Sequence, residues 1–409
     1  MAILLVNIFN LLEGELINME NYWLKIKELN FYSINVRANT NWKFMEFISD
    51  DNMSGISEIT DTQINSSVEK IIAKLSNRLR NEKLISEENL LEYFKAEEKE
   101  ASQNIELATA ISGIRSAFLD LLSKRIGLKL NQYLSLNNSE QLSNQIDLYA
   151  NINRSLLPDD NGPLERSPST FAKQAMIVEK RGFKTIKCAP FDECKSPFEN
   201  NVGLPNEAKL GLDRISGISE SISNNTNLYV DCHSRFDLES SYILHDELLD
   251  RQVSWFEEPI DPEKYQEETR LIKNYSKIDI AGAEKAYGYK IFEKLINNDI
   301  LDIVMPDVKF CGGPQEVIKL FHSLKNPKQT ISMHCPSGPI SLLTSAHITS
   351  SIFSNLPLEH AVDEVEWRKD LILPNENIFD GKYIIPEGNG IGATLNQELI
   401  SKRGKKWQE

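Results

Sequence analysis

The sequence predicts an α/β protein in which a (β/α) barrel follows an N-terminal α+β unit. Short apolar runs, each followed by a helical stretch, recur from "FKTIKCAP" onward. After the first interval they return roughly every 25 residues, the length of one βα unit. Nearly every run ends in an ionisable residue, as expected where parallel strands converge on one mouth. A doubly wound open sheet is the competing architecture, but no glycine-rich phosphate loop follows any run.

The chain has 409 residues, enough for one large barrel and a smaller domain. Its first residues, "MAILLVNIFNLL", are apolar but lack a basic n-region and a small-residue cleavage site, so they do not read as a signal peptide. They are also too short to span a bilayer. Residues 1–19 are expected to be an N-terminal extension, and residues 20–145 an α+β domain. Within it, "WLKIKELNFYSINVRA" and "WKFMEFISDDNMSGISEIT" read as strands separated by turns. "SSVEKIIAKLSNRLRNE" begins at a serine cap and carries Val68, Ile71, Ile72, Leu75 and Leu79 at helical spacing. "ATAISGIRSAFLDLLSKRIG" repeats that pattern with Ile111, Ile114, Phe118 and Leu121 and stops at Gly127.

Residues 146–383 hold the repeating runs: "FKTIKCAP", "NLYVDCHSRF", "VSWFEEP", "IDIAGAEKAYG", "LDIVMPDVKF", "QTISMHCPSGP" and "NLPLEHAV". Their ends supply Lys187, Asp231 with His233, Glu257, Glu284, Asp307, His334 and Glu359. In "VDCHSRF", strand alternation predicts that Asp231, His233 and Arg235 share one face.

Hydrophobic residues make up 41% and charged residues 26%, ordinary values for a globular chain. A formal net charge of −15 argues against nucleic acid as a partner. It leaves room for a small anionic substrate, because a bound metal reverses the local sign. No membrane segment is expected. Cys188, Cys194, Cys232, Cys311 and Cys335 are odd in number and match no zinc or disulfide spacing, so a reducing, cytoplasmic setting is expected. Alternation turns Cys188 and Cys232 away from the mouth, as packing residues.

Three consecutive runs end in Asp231, Glu257 and Glu284, a hard, all-oxygen set that suits Mg²⁺. One acid at a strand end is ordinarily a solvated residue, but three in successive repeats are not explained that way. Adjacent acids in "WFEEP" are costly unless a cation holds one of them. Asp307 and His334 end the next two runs, where a carboxylate can orient the ring and strengthen it as a base. The tight "CPSGP" turn after His334 would hold the ring over the mouth. The Gly312–Gly313 pair reads as a turn that lets the backbone approach a ligand. His245, His322, His347 and His360 read as helix or linker residues.

These residues resemble the enolase superfamily, in its mandelate racemase-like branch. The resemblance covers nearly the whole chain. It implies a modified TIM barrel with an N-terminal capping domain, completed by the C-terminal segment 384–409 through "IIPEGNGIGATLN". The family's ligand triad falls on Asp231, Glu257 and Glu284, and its Asp–His dyad on Asp307 and His334. Racemising members carry K-x-K on the second strand; here the second position is Ala189, so that lysine base is missing and Lys187 stands alone. The D-x-H-x-R arrangement with "HCPSGP" is similar to the galactonate dehydratase-like acid sugar dehydratases, in which the third-strand histidine is the general acid.

The resemblance therefore implies a Mg²⁺-dependent dehydratase of an aldonate-type sugar acid. His334, supported by Asp307, would take the C2 proton, giving a metal-stabilised enediolate, and His233 would protonate the departing 3-hydroxyl. The product would be a 2-keto-3-deoxy acid. Lys187 would add positive charge near the substrate carboxylate, and Glu359 would donate a hydrogen bond to it. Arg235 would bind the substrate or tie down a loop. Arg37, Asn39 and Trp42, together with "SDDNMSG", are the candidates for substrate specificity. Family members are commonly homo-oligomers. Three alternatives stand beside this reading: an epimerase or cycloisomerase on the same fold, a non-catalytic sugar-acid-binding barrel, and a zinc hydrolase, which the lack of an early H-x-H pair disfavours.

Overall fold

The computed structural model describes residues 22–37, 40–61, 66–136, 140–156, 165–195 and 203–408. The expected extension at residues 1–19 and the candidate Asn39 lie outside the described residues.

The N-terminal unit is built on an antiparallel meander of β1 (Ile26–Arg37), β2 (Thr40–Ser49) and β3 (Ser54–Glu58). The helix Ile105–Ile126 packs across β3. Asn104 caps its start by accepting from the Leu107 N–H, and Gly127 ends it in the left-handed region at φ 82°. Its contact with the sheet is close: a Cβ on Gly55 would meet the Ala117 carbonyl at 2.1 Å. The spacing predicts one apolar face, yet every residue from Leu107 to Ser123 is buried, because neighbouring helices of the N-terminal unit and the barrel at Gly312, Gly313 and Glu316 cover it away from the sheet. That burial explains the charges inside the helix. Arg115 pairs with Glu87 (2.7 Å) and with Glu316 (2.9 Å), which belongs to the barrel helix Pro314–Ser323.

The barrel staves are β4 (Gln145–Asn151), β5 (Thr185–Cys188), β6 (Asn227–Asp231), β7 (Val253–Glu257), β8 (Asp279–Gly282), β9 (Ile303–Val304) and β10 (Leu358–Ala361). Strands β4 to β9 pair in chain order, all parallel, and β10 pairs parallel with β4. Between β9 and β10 the ring is closed by residues 330–334, which form an irregular stave. Ile331 bridges to Val304, and the Glu359 N–H donates to the Met333 carbonyl at 3.4 Å. Seven of these staves correspond to the seven expected runs; β4 is the one the repeat did not mark. The barrel floor is aromatic: Tyr229 and Trp255 stack inside it with centroids 4.4 Å apart, and Tyr149 meets Tyr229 edge-on.

The tail first forms the small pairs β11 (Ile372–Leu373) with β14 (Thr394–Leu395) and β12 (Ile378–Phe379) with β13 (Lys382–Ile384). Strand β13 also pairs antiparallel with β4, so the expected boundary after residue 383 falls inside a strand that extends the barrel sheet. The chain then returns to the N-terminal unit. Leu130 donates to the Gly390 carbonyl (2.7 Å) and Ile391 to Asp120 (2.8 Å). Finally β15 (Gly404–Gln408) joins the edge of the meander beside β1. No helix among the described residues is long and apolar enough to cross a membrane.

His347 ties three segments together. Its Nδ1 accepts from the Asn131 N–H (3.2 Å), so its Nε2–H donates to the Ile391 carbonyl (3.2 Å). A second proton has no acceptor there, and burial pushes the pKa down to about 4. Below its ordinary pKa the unfolded chain binds a proton that the folded chain refuses. Stability should therefore fall between about pH 6.5 and 4, by on the order of 3 kcal/mol. Urea denaturation across that window should give a shallower pH slope for His347→Gln than for the parent.

Candidate active site

The C-terminal ends of the staves surround a cavity of about 410 Å³, roofed by Trp42, Thr60 and Asp61 of the N-terminal unit. Register brings the acids together: Asp231 on β6 lies opposite Glu257 on β7, and Glu284 follows the end of β8. The chain adopts left-handed backbone beside each of them, at His233 (φ 48°), Glu258 (φ 40°) and Ala283 (φ 73°). Such conformations cost about 1 kcal/mol or more each in non-glycine residues and concentrate at functional sites.

Glu257, Glu284 and His334 each offer a ligand atom within 4.8 Å of the others. Lys187, only 1% exposed, bonds both Glu257 oxygens (2.8 and 3.0 Å) and Glu359 (2.8 Å). Burial alone would lower the Lys187 pKa, but the charges of Glu257 and Glu359 outweigh it and hold the ammonium protonated. Glu359 also accepts from Asn151 (2.8 Å) and from the Cys335 N–H (2.8 Å).

His334 carries the dyad. Its Nδ1 is 2.9 Å from Asp307 Oδ2, and its Nε2 is 2.9 Å from Glu284 Oε2. Burial opposes the imidazolium, yet Glu284 and Glu359 raise the His334 pKa well above its ordinary value. The same pairing holds Glu284 well below the carboxylate range against its own burial. Across the cavity, His233 Nε2 lies 2.9 Å from Asp231 Oδ2, and the charge of Asp231 lifts the His233 pKa to about 9.

The donors suit a hard divalent cation. Asp231, Glu257, Glu258, Glu284, Asp307 and Glu359 are all buried, and they outnumber Lys187, Lys285 and Lys309 two to one. Buried carboxylates in such excess need further positive charge. Without a cation the two histidines supply it as protons. Asp231 is then occupied by His233 and is not part of the converging group, while His334 stands against Glu284.

A family model described as enolase C-terminal domain-like matches residues 170–399, more than half of the chain. The chain belongs to the enolase superfamily. A curated relative, the D-xylonate dehydratase of Haloferax volcanii, is 26% identical over 74% of this chain and 71% of its own. The D-gluconate/D-galactonate dehydratase of Picrophilus torridus is 24% identical over 77% and 76%. A solved structure of an enolase-superfamily member from Salmonella Typhimurium superposes over 94% of this chain and 100% of its own, with a TM-score of 0.80 at 20% identity. The capping unit and the barrel together are thus an enolase-superfamily fold.

Several expectations change in this superfamily site. Asp231, His233 and Arg235 all line the cavity, but alternation does not bring them there, because β6 ends at Asp231 and His233 and Ser234 turn left-handed. The Arg235 guanidinium donates to the Cys194 carbonyl (2.6 Å), which fixes a loop. Trp42 does line the cavity. Arg37 is not among the cavity-lining residues; its Nε donates to the Glu364 carbonyl (3.0 Å). The "SDDNMSG" stretch is the β2–β3 hairpin turn, tied by Asp51 to Arg125 (2.7 Å), and does not line the cavity. Gly312 and Gly313 approach the capping helix, where a Cβ on either would meet Arg115, at 3.1 and 3.2 Å, so their left-handed backbone serves domain docking. Cys188, Cys232 and Cys335 are buried in the core.

Sequence reading missed Asn151, Glu258, Lys285 and Lys309. Glu258, the second acid of "WFEEP", joins three staves by accepting from Ala283 N–H (2.9 Å) and from the Ser234 hydroxyl (3.2 Å). Burial pushes its pKa to about 7, with Glu284 adding to the rise. Lys309 was findable, since D-x-K repeats the spacing of D-x-H; its Nζ is 3.1 Å from Asp307 Oδ2.

Lys187 offers a direct test of this charge balance. Lys187→Met leaves Glu257 and Glu359 buried without their ammonium, which should cost about 3–5 kcal/mol. The urea midpoint of the metal-free protein is expected to fall accordingly. An unchanged midpoint would mean that protons already neutralise these acids.

Proposed function

We propose that this protein is a Mg²⁺-dependent dehydratase of an aldonate-type sugar acid. The observation that carries the reading is the Asp307–His334 pair on one side of the cavity with His233 on the other. The names of the two curated relatives, both sugar-acid dehydratases, support the substrate class.

Asp231, Glu257 and Glu284 would hold the ion. When bound, it supplies positive charge to the substrate carboxylate as the C2 proton leaves. A lysine or histidine base working beside Mg²⁺ is the general division of labour in enolase-superfamily sites. His334 Nε2 would take the C2 proton, while Asp307, itself neutralised by Lys309, fixes the ring through Nδ1. Lys187 and Lys285 would keep the carboxylate end of the cavity positive. His233, across the cavity from His334, would give its proton to the 3-hydroxyl. That hydroxyl departs as water, the C2–C3 double bond forms, and the enol becomes a 2-keto-3-deoxy acid. The roof of Trp42, Thr60 and Asp61 over the cavity would limit water at the reacting carbons.

Incubation with Mg²⁺ and a panel of aldonic, aldaric and uronic acids, with semicarbazide detection of 2-keto acids, should give a signal that EDTA abolishes. His334→Asn should lower that rate by about 10²–10⁴-fold, the usual contribution of a positioned acid or base. It should also remove exchange of the C2 proton in D₂O, followed by NMR. His233→Asn should lose elimination while retaining C2 exchange. Exchange without elimination in the parent protein would instead mean an epimerase or cycloisomerase. Metal affinity should rise with pH, because the ion displaces protons from the site.

A further inference from the structure

The loop that carries His334 is held from several sides. Asp307 holds the ring, Glu359 accepts from the Cys335 N–H, and Arg368 donates to the Ser337 carbonyl (2.6 Å). All three come from the barrel or its tail. One further group arrives from the capping sheet. Glu58, the last residue of β3, accepts from the Gly338 N–H (2.8 Å) on one carboxyl oxygen and from the Ser341 N–H (3.0 Å) on the other. These amides open the helix Pro339–Ser351, which begins five residues after His334. Glu58 is only 4% exposed, so its bonds face no competing water.

The fit is tight as well as polar. A Cβ on Gly338 would come within 2.8 Å of a Glu58 oxygen. Gly338 has φ −71° and ψ 179°, ordinary extended backbone, so close approach of Glu58, and not backbone conformation, calls for glycine here. Glu58 also connects to the cavity roof. Thr60 donates its hydroxyl to Glu58 (2.9 Å), accepts from the Lys43 N–H (3.0 Å) and lines the cavity.

We propose that Glu58 is a positioning residue for the base: it is the capping domain's strut on the His334 loop, and it holds that loop in register with Asp307 and with the cavity roof. The inference rests on His334 acting as the base. Its physical content is that the base loop has the required placement only with the cap seated. Glu58 touches neither substrate nor metal in this role.

Two variants test it by different routes. Glu58→Gln replaces one accepting oxygen with an NH₂ that faces an N–H donor. Gly338→Ala leaves the carboxyl group intact and denies its approach. In both, hydrogen exchange read by mass spectrometry should accelerate in peptides covering residues 333–342 and stay at the parent rate in the cap sheet and the remaining staves. With whichever acid of the panel is turned over, kcat should fall at least tenfold with KM and Mg²⁺ affinity close to the parent values. Protection of 333–342 at the parent level, or acceleration spread over the whole chain, would overturn the proposal, as would a parent-like kcat in both variants. If no acid of the panel reacts, the dehydratase reading fails, and the exchange pattern alone still decides whether Glu58 is the strut.

Discussion

The site is governed by an excess of buried negative charge. Carboxylates at the ends of β6, β7 and β8, and then at β9 and β10, meet in a volume shielded from water. A single buried carboxylate without a partner would neutralise itself or unfold its surroundings. Here each is met by something positive or by backbone N–H groups. Lys187 bridges Glu257 and Glu359, Lys309 meets Asp307, Lys285 meets Glu284, and the two histidines complete the set. The same imbalance that makes the mouth costly to fold makes its donor set suited to a divalent cation.

The rest of the fold keeps that mouth closed and in register. The aromatic floor of Tyr149, Tyr229 and Trp255 closes the barrel beneath Lys187, which lies 5.4 Å from the centre of the Tyr149 ring. The capping domain roofs the other side and is fastened to the barrel by buried polar contacts. Arg115 reaches Glu316, Ser112 accepts from the Gly312 N–H (2.8 Å), and Glu58 meets the amides after His334. Polar contacts of this kind are directional, so they fix one relative arrangement of cap and barrel where apolar packing alone would tolerate small slides. The proposed pairing of a base and an acid on opposite sides of the cavity requires that fixity.

The tail serves the same end. After leaving the barrel it runs beside the capping helix, where Ile391 donates to Asp120, and it ends as a strand on the edge of the capping sheet. Asp120 thereby accepts from both β3, through the Ile56 N–H, and the returning tail. A charged residue in the middle of a buried helix is thus accounted for by the segments it joins.

The sequence by itself determined the barrel class, the α+β cap, and the identity of most of the ionisable residues at the mouth. It could do so because βα units repeat at a regular length and because chemistry concentrates where parallel strands end. Asp231, Glu257, Glu284, Asp307, His334, Lys187 and Glu359 were all legible from that rule. Tertiary structure alone decided which groups touch. Alternation did not carry past Asp231, since left-handed residues redirect the chain, and a local period says nothing about where a turn will aim a side chain. Nor could the sequence reveal Glu58 or Arg115 as struts, because each meets its barrel partner more than 200 residues away. Strand β4 and the edge strand β15 went unread for a related reason: pairing with distant neighbours defines them more than any pattern of their own.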